Sequence, residues 1–182
     1  MSGVPLPDET ILGLLCIQPM HGYELLRRFH DRAELGAVWR LSASQLYAVL
    51  KRLADGGWIT GKQVATPLAP ERTEYAVTEN GRARLEAWLA EPAPSPSIRT
   101  VRVEFVSRLI IARALHFPPE DLIDAQRATC ASRLNDLRLA LQQASGPNER
   151  LSLELVIGQT EALLGWMNDD VPRFFALQEA QK

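Results

Sequence analysis

The chain is poor in the residues that would make it a disulfide scaffold or a metalloprotein. It has two cysteines, Cys16 and Cys130, and three scattered histidines, His21, His30 and His116. Two distant cysteines form neither a disulfide framework nor a zinc-ligand pattern, and they suit a reducing compartment. MSGVPLPDET lacks the basic and then apolar stretches of a secretory signal. No apolar run approaches the length that spans a bilayer. A cytoplasmic protein with no membrane partner is therefore expected. A surplus of positive charge is also missing: 20 Lys and Arg stand against 22 Asp and Glu, a formal net charge of −2. The overall balance gives no support to a polyanionic partner, so charge has to be read locally. Enzyme signatures are absent too. There is no glycine-rich phosphate loop, no H-E-x-x-H, no nucleophile elbow and no paired Cys–His arrangement, and carboxylates are spread along helix faces. No catalysis, cofactor or metal is expected.

What is present is a mainly helical pattern. With 46% apolar residues in 182, the chain can bury a real core in one or two domains. PDETILGLLCIQP predicts a first helix over about residues 8–17, with Asp8 as its N-cap and Pro19 beyond its end. HGYELLRRFHDRAE carries Leu25, Leu26 and Phe29 at helical spacing and predicts a second. LSASQLYAVLKRLADGGWI predicts a third. Ser42 and Gln45 fit the S-x-x-Q capping box, and Gly56 and Gly57 supply a left-handed exit. GWITGKQVA and TEYAVT then read as two strands joined by the proline-bearing loop TPLAPER. Thr78 caps a fourth helix with Leu85, Trp88 and Leu89 on one side. PAPSPS, residues 92–97, reads as a linker. Three helices are expected after it: one over IRTVRVEFVSRLIIARALHF, stopped by Pro118 and Pro119; a long one over EDLIDAQRATCASRLNDLRLALQQA; and one from RLSLELVIG onward with a kink or stop near Pro172. The expected domains are residues 1–91 and 98–182.

The third helix has two unlike sides. Leu46, Val49, Leu50 and Leu53 fall in one apolar stripe, and Ser44, Ala48 and Lys51 lie opposite, flanked by Tyr47 and Arg52. Between Arg40 and Lys62 the only acid is Asp55, against Arg40, Lys51, Arg52 and Lys62. A helix packed on two others, basic on its outer side and followed by a hairpin, matches a winged helix-turn-helix, whose third helix enters the major groove. In that reading Lys51, Arg52 and Lys62 meet phosphates, with Arg72 at the wing tip. Ser44, Gln45 and Tyr47 approach base edges or the backbone, and Ser42, first of all a cap, borders the same face. The plainer alternatives are a face that is only solvated, and a Tyr47 that packs half-buried.

HGYELL (21–26), SASQLYAVLKRLADGGWI (42–59) and RTEYAVTENGRARLEAWL (72–89), with the spacing between them, resemble the PadR-type transcriptional regulators. VEFVSRLIIARAL, the Pro118–Pro119 break, the long middle helix and LELVIGQTEALLGWM are similar to the α-helical C-terminal domain of the subgroup that includes virulence-gene activators. The resemblance covers nearly the whole chain. It implies a homodimeric DNA-binding regulator, usually a repressor, with the C-terminal helices making the dimer. It also implies DNA contact from Ser44, Gln45, Tyr47 and Lys51, and it adds His21 and Tyr23 near the phosphate backbone. His21, beside Gly22, has an equal reading as a residue that shapes the turn. The loop TPLAPER departs from a strongly basic wing, since Arg72 stands beside Glu71.

The residues support a dimer independently. Phe105, Val106, Leu109, Ile110, Ile111 and Leu115 spread around more than one side of their helix, a width that a second copy would bury. A two-fold pair would set two reading helices about 34 Å apart on an inverted repeat. Related regulators often sense small aromatic or hydrophobic molecules. Trp166, Met167, Phe174 and Phe175 would offer a stacking surface for one; the alternative is that they are core or dimer interface. Trp39 and Trp88 read as packing residues. The competing function is a winged-helix module that docks a protein rather than DNA.

Overall fold

The computed structural model describes residues 7–66 and 69–179, with 65–66, 69–71 and 177–179 described by backbone alone. The first six residues of MSGVPLPDET and the centre of the TPLAPER loop lie outside the described residues. The protein is mainly α-helical with one small antiparallel sheet. Cα packing separates two compact units. One comprises residues 1–90 and 102–118, the other 91–101 and 119–182. These units do not follow the expected boundaries of 1–91 and 98–182.

In the first unit, helix α1 (Asp8–Ile17) buries Ile11, Leu12, Leu14 and Leu15. Its N-cap is Pro7 rather than the expected Asp8, which sits one residue inside the helix and is buried. The Arg52 guanidinium explains that position: Nε and Nη2 donate to the two Asp8 oxygens at 2.9 and 2.6 Å. Next to it Arg84 donates to Glu9 Oε1 from Nε at 3.0 Å and Nη2 at 2.6 Å. Both acids lie in the first turn of α1, where the helix dipole favours negative charge.

The short strand β1 (Met20–His21) leads into α2 (Gly22–His30), which buries Leu25 and Phe29. A strand of two residues has no periodicity, so the sequence did not announce it. Helix α3 (Ala43–Asp55) starts with the expected box. Ser42 Oγ accepts from the Gln45 N–H at 3.3 Å, and Gln45 Oε1 accepts from the Ser42 N–H at 2.9 Å. Leu46, Val49, Leu50 and Leu53 are its buried residues. At its exit only Gly57 takes positive φ, at 71°, whereas Gly56 stays helical at −80°. The Trp58 and Gly57 N–H groups donate back to the Leu53 and Ala54 carbonyls, which completes a Schellman turn.

Strands β2 (Ile59–Thr66) and β3 (Ala69–Val77) are longer than expected and absorb most of the predicted loop. The sheet order is β1-β3-β2, antiparallel throughout. Pro70 is tolerated because β1 pairs only at Tyr75 and Glu74, leaving that end of β3 an edge, and because the register shifts nearby between Val64 and Thr66. Thr78 closes the hairpin and opens α4 (Glu79–Leu89). Its Oγ1 accepts from the Gly81 N–H at 3.1 Å and donates to the Gly57 carbonyl at 2.8 Å.

The expected single helix after the linker is three consecutive pieces: α5 (Ile98–Thr100), a π turn (Val101–Phe105) and α6 (Val106–Ala114). A π turn inserts one residue and so rotates the faces of the helix beyond it. Phe105, Leu109, Ile111 and Ala112 are buried. The Ile111 side chain fills the space a Cβ on Gly13 would need, 2.5 Å away. Trp39 Nε1 donates to Ser107 Oγ at 2.8 Å, and Arg108, ion-paired with Glu104, lies 5.2 Å from the Trp88 ring centre. Both tryptophans are thus packing residues, as expected.

In the second unit α7 (Glu120–Gln143) and α8 (Pro147–Glu179) form an antiparallel pair. Leu134, Leu137 and Ile157 are its core, flanked by Leu141, Leu153, Val156 and Leu164, with an Arg138–Glu161 ion pair at 2.8 Å. Buried Gln126 donates to the Ser95 carbonyl at 3.0 Å and so ties the linker to α7. Helix α8 continues through Pro172, so this proline does not end it; the local loss is one backbone donor. Among the described residues no helix is long and apolar enough to cross a membrane.

Asp8→Asn removes the charge from a buried acceptor of two guanidinium bonds. Urea denaturation is expected to show a loss of about 1–3 kcal/mol with an unchanged m-value. Gly57→Ala, forced to positive φ, is expected to lose about 1 kcal/mol by the same measurement.

Candidate nucleic-acid interface

Burial of the leucine stripe fixes which way α3 faces. Ser44, Gln45, Tyr47, Ala48 and Lys51 are all exposed, and Ser42 at the cap is exposed with them. Ser44 Oγ lies 3.0 Å from Ser42 Oγ. The Gln45 side-chain oxygen accepts from both the Ser42 N–H and the Ser42 hydroxyl, the latter at 3.1 Å. A glutamine that reads adenine uses its oxygen and its nitrogen together, and here the oxygen is committed to the cap. Lys51 Nζ meets Asp55 at 2.6 Å, but both side chains are largely exposed, at 77% and 64%. An exposed i,i+4 pair of this kind is weak enough to exchange for a phosphate.

Arg52 does not share this outward role. Its guanidinium is turned to Asp8 and holds α3 to α1, and that bond pushes its pKa above the ordinary arginine value. The cation is spent on the fold rather than offered to a phosphate. Arg72 is also not where the sequence put it. It lies within β3 opposite Val64, short of the hairpin end, and its Cζ stands 5.0 Å from the Tyr23 ring centre. Lys62 is exposed on β2, in register with Glu74.

The fold gathers His21, Tyr23, Tyr47 and Arg72 around one open cleft of 460 Å³, together with Gly22, Thr73 and Tyr75. His21 and Tyr23 stack with ring centres 5.7 Å apart, and His21 Nδ1 is 3.2 Å from the Thr73 carbonyl, to which a protonated nitrogen would donate. The His21 N–H donates to Glu24 at 2.7 Å, so this residue also shapes the start of α2. Gly22 is required by close approach: a Cβ there would come within 2.8 Å of the Tyr47 ring. Tyr47 and Tyr23 are each about half exposed, at 50% and 51%. Burial, and then the neighbouring Tyr47, push the Tyr75 hydroxyl pKa up, so it stays a neutral donor. Tyr75 and Thr73 escaped the sequence reading. They enter the cleft through the β1–β3 pairing, which leaves no local signal.

The late hydrophobic residues differ in exposure. Met167 is fully buried, Trp166 is partly buried, and Phe174 meets Phe175 edge-on at 5.2 Å between ring centres. No group of three or more His, Cys, Asp or Glu that could hold a metal occurs among the described residues.

The profile of the Transcriptional regulator PadR-like family matches residues 11–87, from α1 to α4. A negative transcriptional regulator, PadR of Bacillus subtilis, is 31% identical over 144 residues, which are 79% of this chain and 77% of that one. A probable transcriptional regulator of Mycobacterium tuberculosis, Rv1176c, is 39% identical over 84 residues, 46% of this chain and 43% of its own length. This chain thus spans less than half of that relative. Among solved structures, that of Bacillus subtilis PadR in complex with operator DNA is similar at 25% identity and a TM-score of 0.46, over 91% of this chain and 97% of that one. With a relative 31% identical over most of both chains, and a family profile that runs over the hairpin and the four helices α1 to α4, this chain belongs to the PadR-like family of transcriptional regulators.

Proposed function

We propose that this chain is a sequence-specific DNA-binding regulator that acts as a homodimeric repressor on an inverted repeat. The observation that carries this reading is the outward face of α3, where Ser44, Tyr47, Ala48 and Lys51 stand exposed while the leucine stripe is buried. Small residues at 44 and 48 let a helix settle into a groove, and Lys51 supplies charge at its edge. His21, Tyr23 and Arg72 flank this face at the start of α2 and on the hairpin, positions suited to phosphate oxygens. Phosphate contacts give most of the affinity and base contacts the preference.

Repression draws on the description of the Bacillus subtilis relative as a negative regulator. The dimer is supported by α8, where Leu151 and Leu155 are one helical turn apart and 70% and 63% exposed. Apolar side chains left in water at that spacing call for a partner helix. The second unit is assigned to dimerisation on this ground. A flat aromatic or hydrophobic effector is proposed to stack on the partly buried rings of Trp166 and Phe174, whereas Met167, fully buried, offers it no surface.

Fluorescence anisotropy with duplex DNA is expected to show affinity falling linearly in log–log form with salt, and Lys51→Ala is expected to reduce that slope by about 1. A module that docks proteins would show no such slope. Footprinting on the chain's own upstream region is expected to give a protected inverted repeat, and a footprint without two-fold symmetry would reject the dimeric reader. Leu151→Glu with Leu155→Glu is expected to yield monomers in light scattering; a dimer that persists would place the interface elsewhere.

A further inference from the structure

A second cleft, of 1020 Å³, opens in the first unit beside the start of α3. Arg32, Arg40 and Arg102 all line it, Trp39 and His30 form part of its wall, and Ser42 and Gln45 belong to one side. Among the described residues no carboxylate lines it. Nor does any of the three guanidiniums form an ion pair there, whereas Arg28, Arg52, Arg84, Arg108, Arg127 and Arg138 each do. All three are exposed. They come from three separate stretches: the turn after α2, the residues before the α3 cap, and the π turn.

Three like charges around one cleft repel each other. An anion lying between them would replace that repulsion with attraction. The guanidinium fork matches the oxygens of a phosphate, with two parallel N–H donors each. The Trp39 indole N–H donates to Ser107 Oγ at 2.8 Å, which orients this part of the wall. The cleft is open, as suits a polymer running past rather than an engulfed small molecule, which is usually mostly enclosed. It is also continuous with Ser42 and Gln45, the first residues of the outward face of α3.

We propose that Arg32, Arg40 and Arg102 clasp the DNA backbone phosphates that flank the segment read by α3. The proposal rests on the DNA-binding reading above and extends it to a guanidinium supplied from beyond the linker. It also bears on how a chain of net charge −2 could hold a polyanion: three arginines without an ion pair stand together where the backbone would pass.

The test is anisotropy with a fluorescein-labelled, mixed-sequence duplex of about 25 base pairs, long enough for two half-sites, over a range of salt. Arg40→Gln with Arg102→Gln is expected to reduce the log–log slope by about 2. Arg40→Lys with Arg102→Lys, which keeps both charges, is expected to keep the slope, which separates lost charge from a lost fold. Arg133→Gln, on α7, removes a charge far along the chain and is expected to change nothing. If the native protein binds with a steep slope and the double Gln variant keeps it, the clasp is wrong and the DNA-binding reading stands. If the native protein shows no salt-dependent binding at all, the reading fails and takes the clasp with it. Calorimetry with inorganic pyrophosphate distinguishes a free anion: binding lost in the double Gln variant, with the DNA slope unchanged, would overturn the backbone assignment.

Discussion

Everything else in the first unit depends on the burial of one stripe of α3. Leu46, Val49, Leu50 and Leu53 are almost completely removed from water, and each such side chain contributes about 1.5–3 kcal/mol relative to exposure. Rotating α3 to hide its polar side would return that stripe to solvent. The outward direction of Ser44, Tyr47 and Lys51 is therefore a consequence of the core, not a separate arrangement. The box at Ser42 and Gln45 and the glycine exit at Gly57 set where this helix begins and ends, so the face has a defined length as well as a defined direction.

Charge in this molecule is sorted by whether it is compensated. Arg52 and Arg84 face Asp8 and Glu9 and serve to hold α1, α3 and α4 together. Arg108 is matched by Glu104 and laid against Trp88. Lys51 has only an exposed acid beside it, and Arg32, Arg40 and Arg102 line a cleft with no acid among the described residues. Three cations without an ion pair thus share one cleft beside the start of the outward helix face. A count over the whole chain averages this sorting away, which is why a net charge of −2 is a poor guide to the partner.

Much of this was legible because the signals were local. The α3 cap, the glycine exit and the Thr78 cap all involve residues within a few positions of each other, where residue chemistry dictates backbone geometry. The apolar periodicity of α2, α3 and α7 likewise tells which side goes inward. Misreadings arose where a distant partner decided the outcome. Asp8 looked like a cap, and Arg52 like a phosphate ligand, but the two face each other across 44 positions. The π turn at 101–105 lies in a stretch that reads as ordinary helix, and Pro70 sits in a strand because that part of β3 is an edge.

The sequence by itself determined most of the helices, their order, the buried face of α3 and the family resemblance, because helix and turn signals are written within a few residues and the motif spacing runs from the start of α2 to α4. Only the tertiary structure decided which cations are available and which residues share a cleft. Tyr75 joins His21 through strand pairing, and Arg102 reaches Arg40 through packing of the tail segment. An ion pair or a cleft is a property of distances between residues far apart in the chain, and those distances exist only once the core has closed.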